Sequence, residues 1–166
     1  YDIPLINLNA FVRTAGYVQI TSGLLVGMWR LWKLLRAEKF DAVVGFTHDS
    51  NVLGLPLAWL AGVPVRIGTH LGVIRGMPRW RERLHSTLVN MGIVQTLVAS
   101  STRTRDDAVH EGVCPERIEI IFNSITPFTV KEEDRIRVRR QLGLHESDFF
   151  LLAVGRLVYE KGHEFL

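Results

Sequence analysis

Apolar residues recur along the chain in two rhythms. Short continuous runs, of the kind buried on both faces of a parallel sheet, fall at 41–46 (Asp-Ala-Val-Val-Gly-Phe), 63–69 (Val-Pro-Val-Arg-Ile-Gly-Thr), 96–99 (Thr-Leu-Val-Ala) and 118–122 (Ile-Glu-Ile-Ile-Phe). A fifth, the most apolar, spans 149–154 (Phe-Phe-Leu-Leu-Ala-Val), and a weaker strand is predicted over 3–8. Between the runs the period becomes helical. Leu24, Leu25, Met28, Leu31, Trp32 and Leu35 share one face of a helix over 19–37. The next helix, 51–61, carries Pro56, which costs a backbone hydrogen bond unless the helix starts near it. Gly62 stops that helix.

A third helix covers 78–92, with Leu84, Leu88 and Met91 facing in. Ser100 or Ser101 caps a fourth, which runs to about Glu111 and is closed by Gly112, with Pro115 blocking its continuation. Residues 132–142 form a charged helix ended by Gly143, and 155–161 turn into a last helix opening at Lys161. Strand and helix thus alternate about five times with no hairpin signal between strands. The pattern predicts an α/β fold, a doubly wound, Rossmann-like parallel sheet with helices on both faces.

Composition narrows this picture only slightly. At 166 residues, 47% apolar and 22% charged, the chain is globular rather than disordered or collagenous. A net charge of +3 is too mild to argue for nucleic acid, and none is expected as a partner. Cys114 is the one cysteine, so no internal disulfide forms, and a reducing, cytoplasmic setting fits. The apolar stretch 24–35 is interrupted by Arg30 and Lys33 and is shorter than the roughly 20 residues of a membrane span. It reads as a core-facing helix. Its mixture of Trp with Lys and Arg leaves a helix lying on a membrane surface as the alternative. The chain starts at Tyr1 without signal-peptide features and stops inside a helix opening, so a fragment of a longer protein, cut within a βα unit, is expected.

The segment 155–162 (Gly-Arg-Leu-Val-Tyr-Glu-Lys-Gly) follows a predicted strand and leads into a helix. In an open α/β sheet this is the edge where ligands bind. A helix N-terminus there suits phosphate, and Arg156 and Lys161 add two cations flanking one turn. The physical reading is a diphosphate clamp; a solvated surface turn is the plainer one. His70 and the pair His48 and Asp49 follow strands at the same edge, where a strand-end histidine without function is equally natural. His85, His110, His145 and His163 fit surface or helix positions, and their spacing matches no metal motif, so no metal site is expected. Arg75, Arg79, Arg81 and Arg83 read as solvated surface or as a face toward anionic lipid. No G-x-S-x-G motif supports a hydrolase triad.

The sequence VGRLVYEKGHEFL resembles the signature of glycosyltransferase family 4, the retaining, nucleotide-sugar-dependent enzymes of GT-B fold. Three upstream stretches resemble the same family in the same order: LLRAEKFDAVVGFTHDSNVLGLPLAWLAGVPVRIGTH, LVASSTRTRDDAVHEGVCPERIEIIFNSI and RRQLGLHESDFFLLAVGRL. The likeness covers roughly residues 30–166. It implies two doubly wound domains with a cleft between them. Residues 1–123 would be the later part of the N-terminal, acceptor-side domain and 124–148 a connector. Residues 149–166 would be the first strand and turn of the nucleotide-sugar-binding domain.

The resemblance also implies roles. Arg156 and Lys161, with Gly155, would contact the diphosphate of a UDP- or GDP-sugar, and no cofactor or metal would be required. His70 would point at the transferred sugar, and Gly72 would let the backbone approach. The expected activity is hexose transfer to an acceptor hydroxyl with retention. Polysaccharide, lipid-linked and small-molecule acceptors are all represented in the family, and a peripheral contact with the cytoplasmic membrane face is compatible with it. The family's Asn-Gly after the fourth strand is replaced by Asn123-Ser124, which would shift a left-handed turn onto Asn123. The family's Glu-x(7)-Glu pair and N-terminal glycine-rich loop are not within these 166 residues, so the segment alone is expected to be inactive. A non-catalytic α/β nucleotide-binding or regulatory module remains the competing reading, because the architecture hosts many functions.

Overall fold

Four of the predicted apolar runs pair into one parallel sheet. The computed structural model describes residues 4–8, 17–72 and 77–165, apart from the side chains of 17–21 and 160. Its strands are β1 (Ala42–Gly45), β2 (Val65–His70), β3 (Thr96–Ala99) and β4 (Ile118–Ile120), in spatial order β1-β2-β3-β4. The register aligns Gly45 with Gly68, Gly68 with Leu97, and Ala99 with Ile120. The α-helices are α1 (Tyr17–Glu38), α2 (Leu55–Leu60), α3 (Arg79–Asn90), α4 (Thr102–His110) and α5 (Glu132–Gln141), with a π-helical turn over Ser50–Gly54 and a 3₁₀ turn over Pro115–Arg117.

A sheet that grows in one direction through right-handed crossovers keeps its connecting helices on one face. Burial follows this rule. On β2, Arg66, Gly68 and His70 are buried while Val65 is exposed; on β3, Leu97 and Ala99 are buried. Leu55 of α2, Val89 of α3 and Ala108 of α4 pack with Leu97, Ala99 and Ile118 in one core. Leu35 of α1 joins Ala58 and Val63 in a second cluster, and Val43 packs against both. Among the described residues the expectation of helices on both faces is therefore met on one face only, since a one-way strand order gives no crossover to the other.

Local rules account for the helix ends. Pro56 sits in the first turn of α2, where its missing N–H is not needed, and Gly62 takes φ +86° behind it. Ser101 caps α4: its Oγ accepts from Thr104 N–H, and the Thr104 hydroxyl accepts from Ser101 N–H. Arg66, buried beneath the sheet, donates to the carbonyls of Val63 (2.5 Å), Ile93 (2.8 Å) and Gly92 (3.2 Å). One guanidinium thus satisfies chain ends after α2 and α3 that would otherwise be orphaned.

The chain separates into two compact units, Tyr1–Ser124 and Ile125–Leu166. In the second, α5 carries exposed pairs Arg135–Glu132 and Arg137–Asp134, both 2.6 Å. Residues 149–154 form no strand, contrary to expectation, and are exposed. A strand needs a neighbour to complete its ladder, and no described segment of this unit supplies one. Residues 4–8 are likewise irregular, and position 3 lies outside the described residues. The expected final helix is two three-residue 3₁₀ turns, Tyr159–Lys161 and His163–Phe165, too short a run to overcome helix nucleation. Asn123 does not take a left-handed turn: Lys39 is the one described non-glycine residue with positive φ.

Candidate functional site

Parallel strands present their carboxyl ends along one edge, and the segments leaving β1 and β2 build a cavity there. After β1 the chain folds tightly: Thr47 N–H donates to Ser50 Oγ (2.8 Å) and the Ser50 hydroxyl donates to the Thr47 carbonyl (2.7 Å). That turn carries His48 to the cavity rim and drops Asn51 beneath it. β2 ends on His70, followed by Leu71 and Gly72. Helix α3 brings His85 from one side, and Glu111 arrives from the C-terminal end of α4. With Thr69 and Met77 these residues line a cavity of about 290 Å³.

Its floor is polar and nearly dry. His85 is 1% exposed, His70 5% and Asn51 0%. Asn51 Nδ2 donates to the Thr69 carbonyl (2.9 Å) and lies 3.2 Å from His85 Nε2. The His70 and His85 rings stack at 6.2 Å between centroids, 12° apart, and the His48 ring tilts against His85 at 5.0 Å. His70 Nε2 lies 3.9 Å from Glu111 Oε1, beyond hydrogen-bond range. His48 Nε2, His70 Nε2, His85 Nδ1 and Thr69 Oγ1 are buried without a hydrogen-bond partner.

Burial governs the charge states. It lowers His85 to about 4, helped by the neighbouring His48 and His70, so that the ring is neutral at pH 7. His70 is lowered by burial, against the pull of Asp107. His48 is lowered by burial and then by the Arg81 guanidinium. Glu111 is raised to about 7 by burial and by the carboxylates of Glu82 and Asp107.

His70 therefore stands at the strand end where the sequence placed it, lining the cavity with Gly72. Gly72 has φ +114°, while an added Cβ would meet only Thr104 Cγ2 at 3.9 Å. The backbone conformation, not lack of room, calls for glycine there. Asp49, singled out beside His48, is instead ion-paired with Arg81. Arg75 lies outside the described residues. Gly155, Arg156 and Lys161 come together in the second unit: a Cβ on Gly155 would lie 3.4 Å from Lys161 Cγ and 3.4 Å from His163 Nε2. His163 Nε2 is 3.1 Å from the Arg156 carbonyl, and both cationic side chains are exposed.

Three residues of the cavity escaped the sequence reading. His85 occupies a helix position, as its spacing predicts, but it is fully buried on α3 and not at the surface. The inward face of α3 is His85, Ser86 and Val89, while Met91 is 70% exposed and Leu84 also faces out. Of the expected inward residues only Leu88 packs against the core; apolar spacing missed the rest of that face because the wall it supplies is polar. The i, i+4 pair of His85 with Val89 was the available signal. Asn51 and Glu111 were read only as helix ends.

Comparison with known proteins places this geometry. Residues 17–127 match the model of Glycosyltransferase Family 4. An uncharacterized glycosyltransferase of Methanocaldococcus jannaschii is 28% identical over 143 residues, which cover 80% of this chain and 37% of that protein. The crystal structure of Anabaena HepE in complex with UDP and glucose superposes with a TM-score of 0.62 at 18% identity, covering 77% of this chain and 34% of HepE. The HepE complex with UDP-glucose gives 0.61 at 19%, covering 74% and 34%. The chain thus spans about a third of the length of these relatives and shares the α/β fold of a GT-B glycosyltransferase. On the match over 17–127, the chain belongs to Glycosyltransferase Family 4.

Proposed function

We propose that the intact protein transfers a hexose from a UDP- or GDP-sugar to an acceptor hydroxyl with retention of anomeric configuration. The observation that carries this reading is His70, closing β2 at the ligand edge of a sheet whose residues match the family, with a buried and unpartnered Nε2. In this role the neutral ring hydrogen-bonds a hydroxyl of the transferred sugar, and Gly72 lets the backbone come close. Arg156 and Lys161, with Gly155 giving them room, neutralise charge on the departing nucleoside diphosphate. That is electrostatic stabilisation of the kind worth several kcal/mol in transfer reactions, typically ~3–4 per donor removed. These cations make a metal unnecessary for the transfer itself. The HepE crystals holding UDP and UDP-glucose favour a nucleotide-sugar donor here too.

Residues 1–123 serve as the later part of an acceptor-side domain, 124–148 as connector and 149–166 as the start of the donor domain. The acceptor is a polysaccharide, a lipid-linked glycan or a small-molecule alcohol. Among the described residues no helix is long and apolar enough to cross a membrane. The exposed Trp29 of α1, with Lys33 above its ring at 4.6 Å, suits a peripheral contact with the cytoplasmic membrane face. The test is to incubate the full-length protein with UDP- and GDP-hexoses and each acceptor class, following nucleoside diphosphate release and the anomeric signal of the product. Release dependent on acceptor, with the donor's configuration kept, is expected. An inverted product, or no release with any pair, would overturn the reading.

A further inference from the structure

We propose that Glu111 and His85 complete, around His70, a subsite that grips a single hydroxyl of the transferred hexose, so that the three side chains together decide which hexoses the protein accepts. This subsite rests on the transferase reading above and adds to it two residues that had no part there. The three side chains come from the end of β2, the middle of α3 and the C-terminal cap of α4. A ring nitrogen of His70, a ring nitrogen of His85 and a Glu111 oxygen lie within 4.8 Å of one another. The two histidines are more than nine-tenths buried, the Glu111 side chain is 10% exposed, and all three line the 290 Å³ cavity.

The hydrogen-bonding groups of the cluster identify its occupant. A hydroxyl has one hydrogen to give and two lone pairs that accept. The cluster offers the reverse set. His85 Nε2 faces Asn51 Nδ2 at 3.2 Å, and an amide nitrogen only donates, so His85 Nε2 accepts and the ring proton sits on Nδ1. That Nδ1–H is buried without a partner. His70 Nε2 is likewise buried and unpartnered, and as Nε2–H it is the second donor. Glu111 supplies the acceptor. Among the described residues no hydrogen bond reaches its carboxylate, and 3.9 Å separates its Oε1 from His70 Nε2. An oxygen about 2.8 Å from both would bridge that gap at an angle of about 90°. Two N–H donors and one carboxylate therefore match the three hydrogen-bonding positions of one hydroxyl.

Folding alone does not reward this arrangement. Orphaned buried donors are rare because each costs stability, and the Glu111 charge is opposed by burial and by the carboxylates of Glu82 and Asp107. A sugar hydroxyl entering the cavity supplies the missing partners to all three groups at once. The donors are held ready for it: Asn51, fixed by its bond to the Thr69 carbonyl (2.9 Å), orients the His85 ring, and His70 is the last residue of β2. A hexose lacking that hydroxyl would leave the three groups unpaired. A polar site rejects such an analogue more strongly than an apolar pocket rejects a missing methylene. His70 keeps the role given to it in the transfer, and no metal enters.

The test is a binding cycle, read by calorimetry on the full-length protein. UDP- and GDP-hexoses identify a donor, which is then compared with each of its monodeoxy analogues on the parent and on Glu111→Ala. In the parent, one analogue is expected to bind at least about tenfold more weakly than the donor. Glu111→Ala should weaken the donor by a similar factor and shrink the penalty for that analogue, while the penalties for the other analogues stay as they were. Glu111→Gln keeps the shape of the side chain and an accepting oxygen; it should fall between, and it carries the cycle if circular dichroism shows Glu111→Ala unfolded. His110→Ala, exposed on α4, should bind like the parent. A purely structural Glu111 would weaken donor and analogues alike, and unchanged penalties in its variants would overturn the proposal. So would a parent that penalises no analogue. Donor binding without acceptor-dependent release would overturn the transferase reading and leave the subsite standing; no binding of any nucleotide hexose would overturn both.

Discussion

Replacing Glu111 by Gln should stabilise the protein at pH 8 and leave it almost unchanged at pH 4. Folding raises the Glu111 carboxyl from its ordinary 4.5 to about 7, burial being the first cause and the charges of Glu82 and Asp107 the others. A carboxyl with a raised folded-state pKa binds its proton more tightly in the native protein than in the unfolded chain. Its charged form therefore burdens the native state. The burden is absent below pH 4.5, grows as pH rises through the window from 4.5 to about 7, and is constant above it. A fully desolvated group with that displacement would cost about 3 kcal/mol. Glu111 borders an open cavity, and screening there brings the expected cost to about 1–2 kcal/mol.

His85 acts in the opposite sense. Its pKa falls from 6.5 to about 4 on folding, so its contribution is present above pH 6.5 and is lost as pH falls toward 4. In the parent protein the two effects offset one another between pH 4.5 and 6.5. Glu111→Gln removes one of them and uncovers the other. Urea unfolding followed by tryptophan fluorescence reads the difference directly. All four tryptophans lie in the first unit. The midpoint of Glu111→Gln should exceed that of the parent at pH 8, match it closely at pH 4, and fall more steeply on acidification. An equal shift at both pH values would refute the reasoning, since it would trace the effect to packing and not to charge.

Three further outcomes follow from the fold and the proposed chemistry. Leu97→Ala, at a fully buried position between α3, α4 and the sheet, should cost about 2–5 kcal/mol in the same unfolding assay. Ser101→Ala removes the reciprocal cap of α4 and should cost about 1 kcal/mol, restored in large part by Asp at that position. Lys161→Ala in the full-length protein should lower kcat/KM by about 10²-fold or more, with little effect on unfolding because the side chain is exposed.

The four central strands were legible because each is a continuous apolar run that finds a parallel neighbour. The run at 149–154 has the same composition and forms no strand. Apolar character marks what a segment would bury; only a partner decides whether it does. Pro56 and Gly62 were read correctly since their effects are carried by the backbone of one residue. The wall of the cavity was not legible. His85, Asn51 and Glu111 are 26 or more residues apart in any pairing and acquire meaning only where β2, α3 and α4 converge. His70 and Gly72 could be found because a strand end is itself a position in the fold. Arg156 and Lys161 are singled out by a local signature alone, and their proposed role owes nothing to the sheet.

Gly45 and Gly68 face each other in register on adjacent strands. A Cβ added to Gly45 would stand 2.7 Å from Asn51 Oδ1, and one added to Gly68 3.0 Å from the same oxygen. The two missing side chains leave a notch in the sheet, and the Asn51 amide fills it from above while holding His85 with its other end. The three positions therefore pack as one unit. An alanine methyl at Gly45 would press on Asn51 Oδ1 and on Ser50 Oγ (3.0 Å), one at Gly68 on Asn51 Oδ1 and on Val94 Cγ1 (3.0 Å), and shortening Asn51 alone would empty the notch and release its contact with His85. Substitutions here should be non-additive, with the Gly45 change coupled most directly to Asn51, while Val94 still meets a methyl at Gly68 whatever stands at 51. The histidine floor of the cavity is thus seated, through Asn51, on two strand positions that carry no side chain at all.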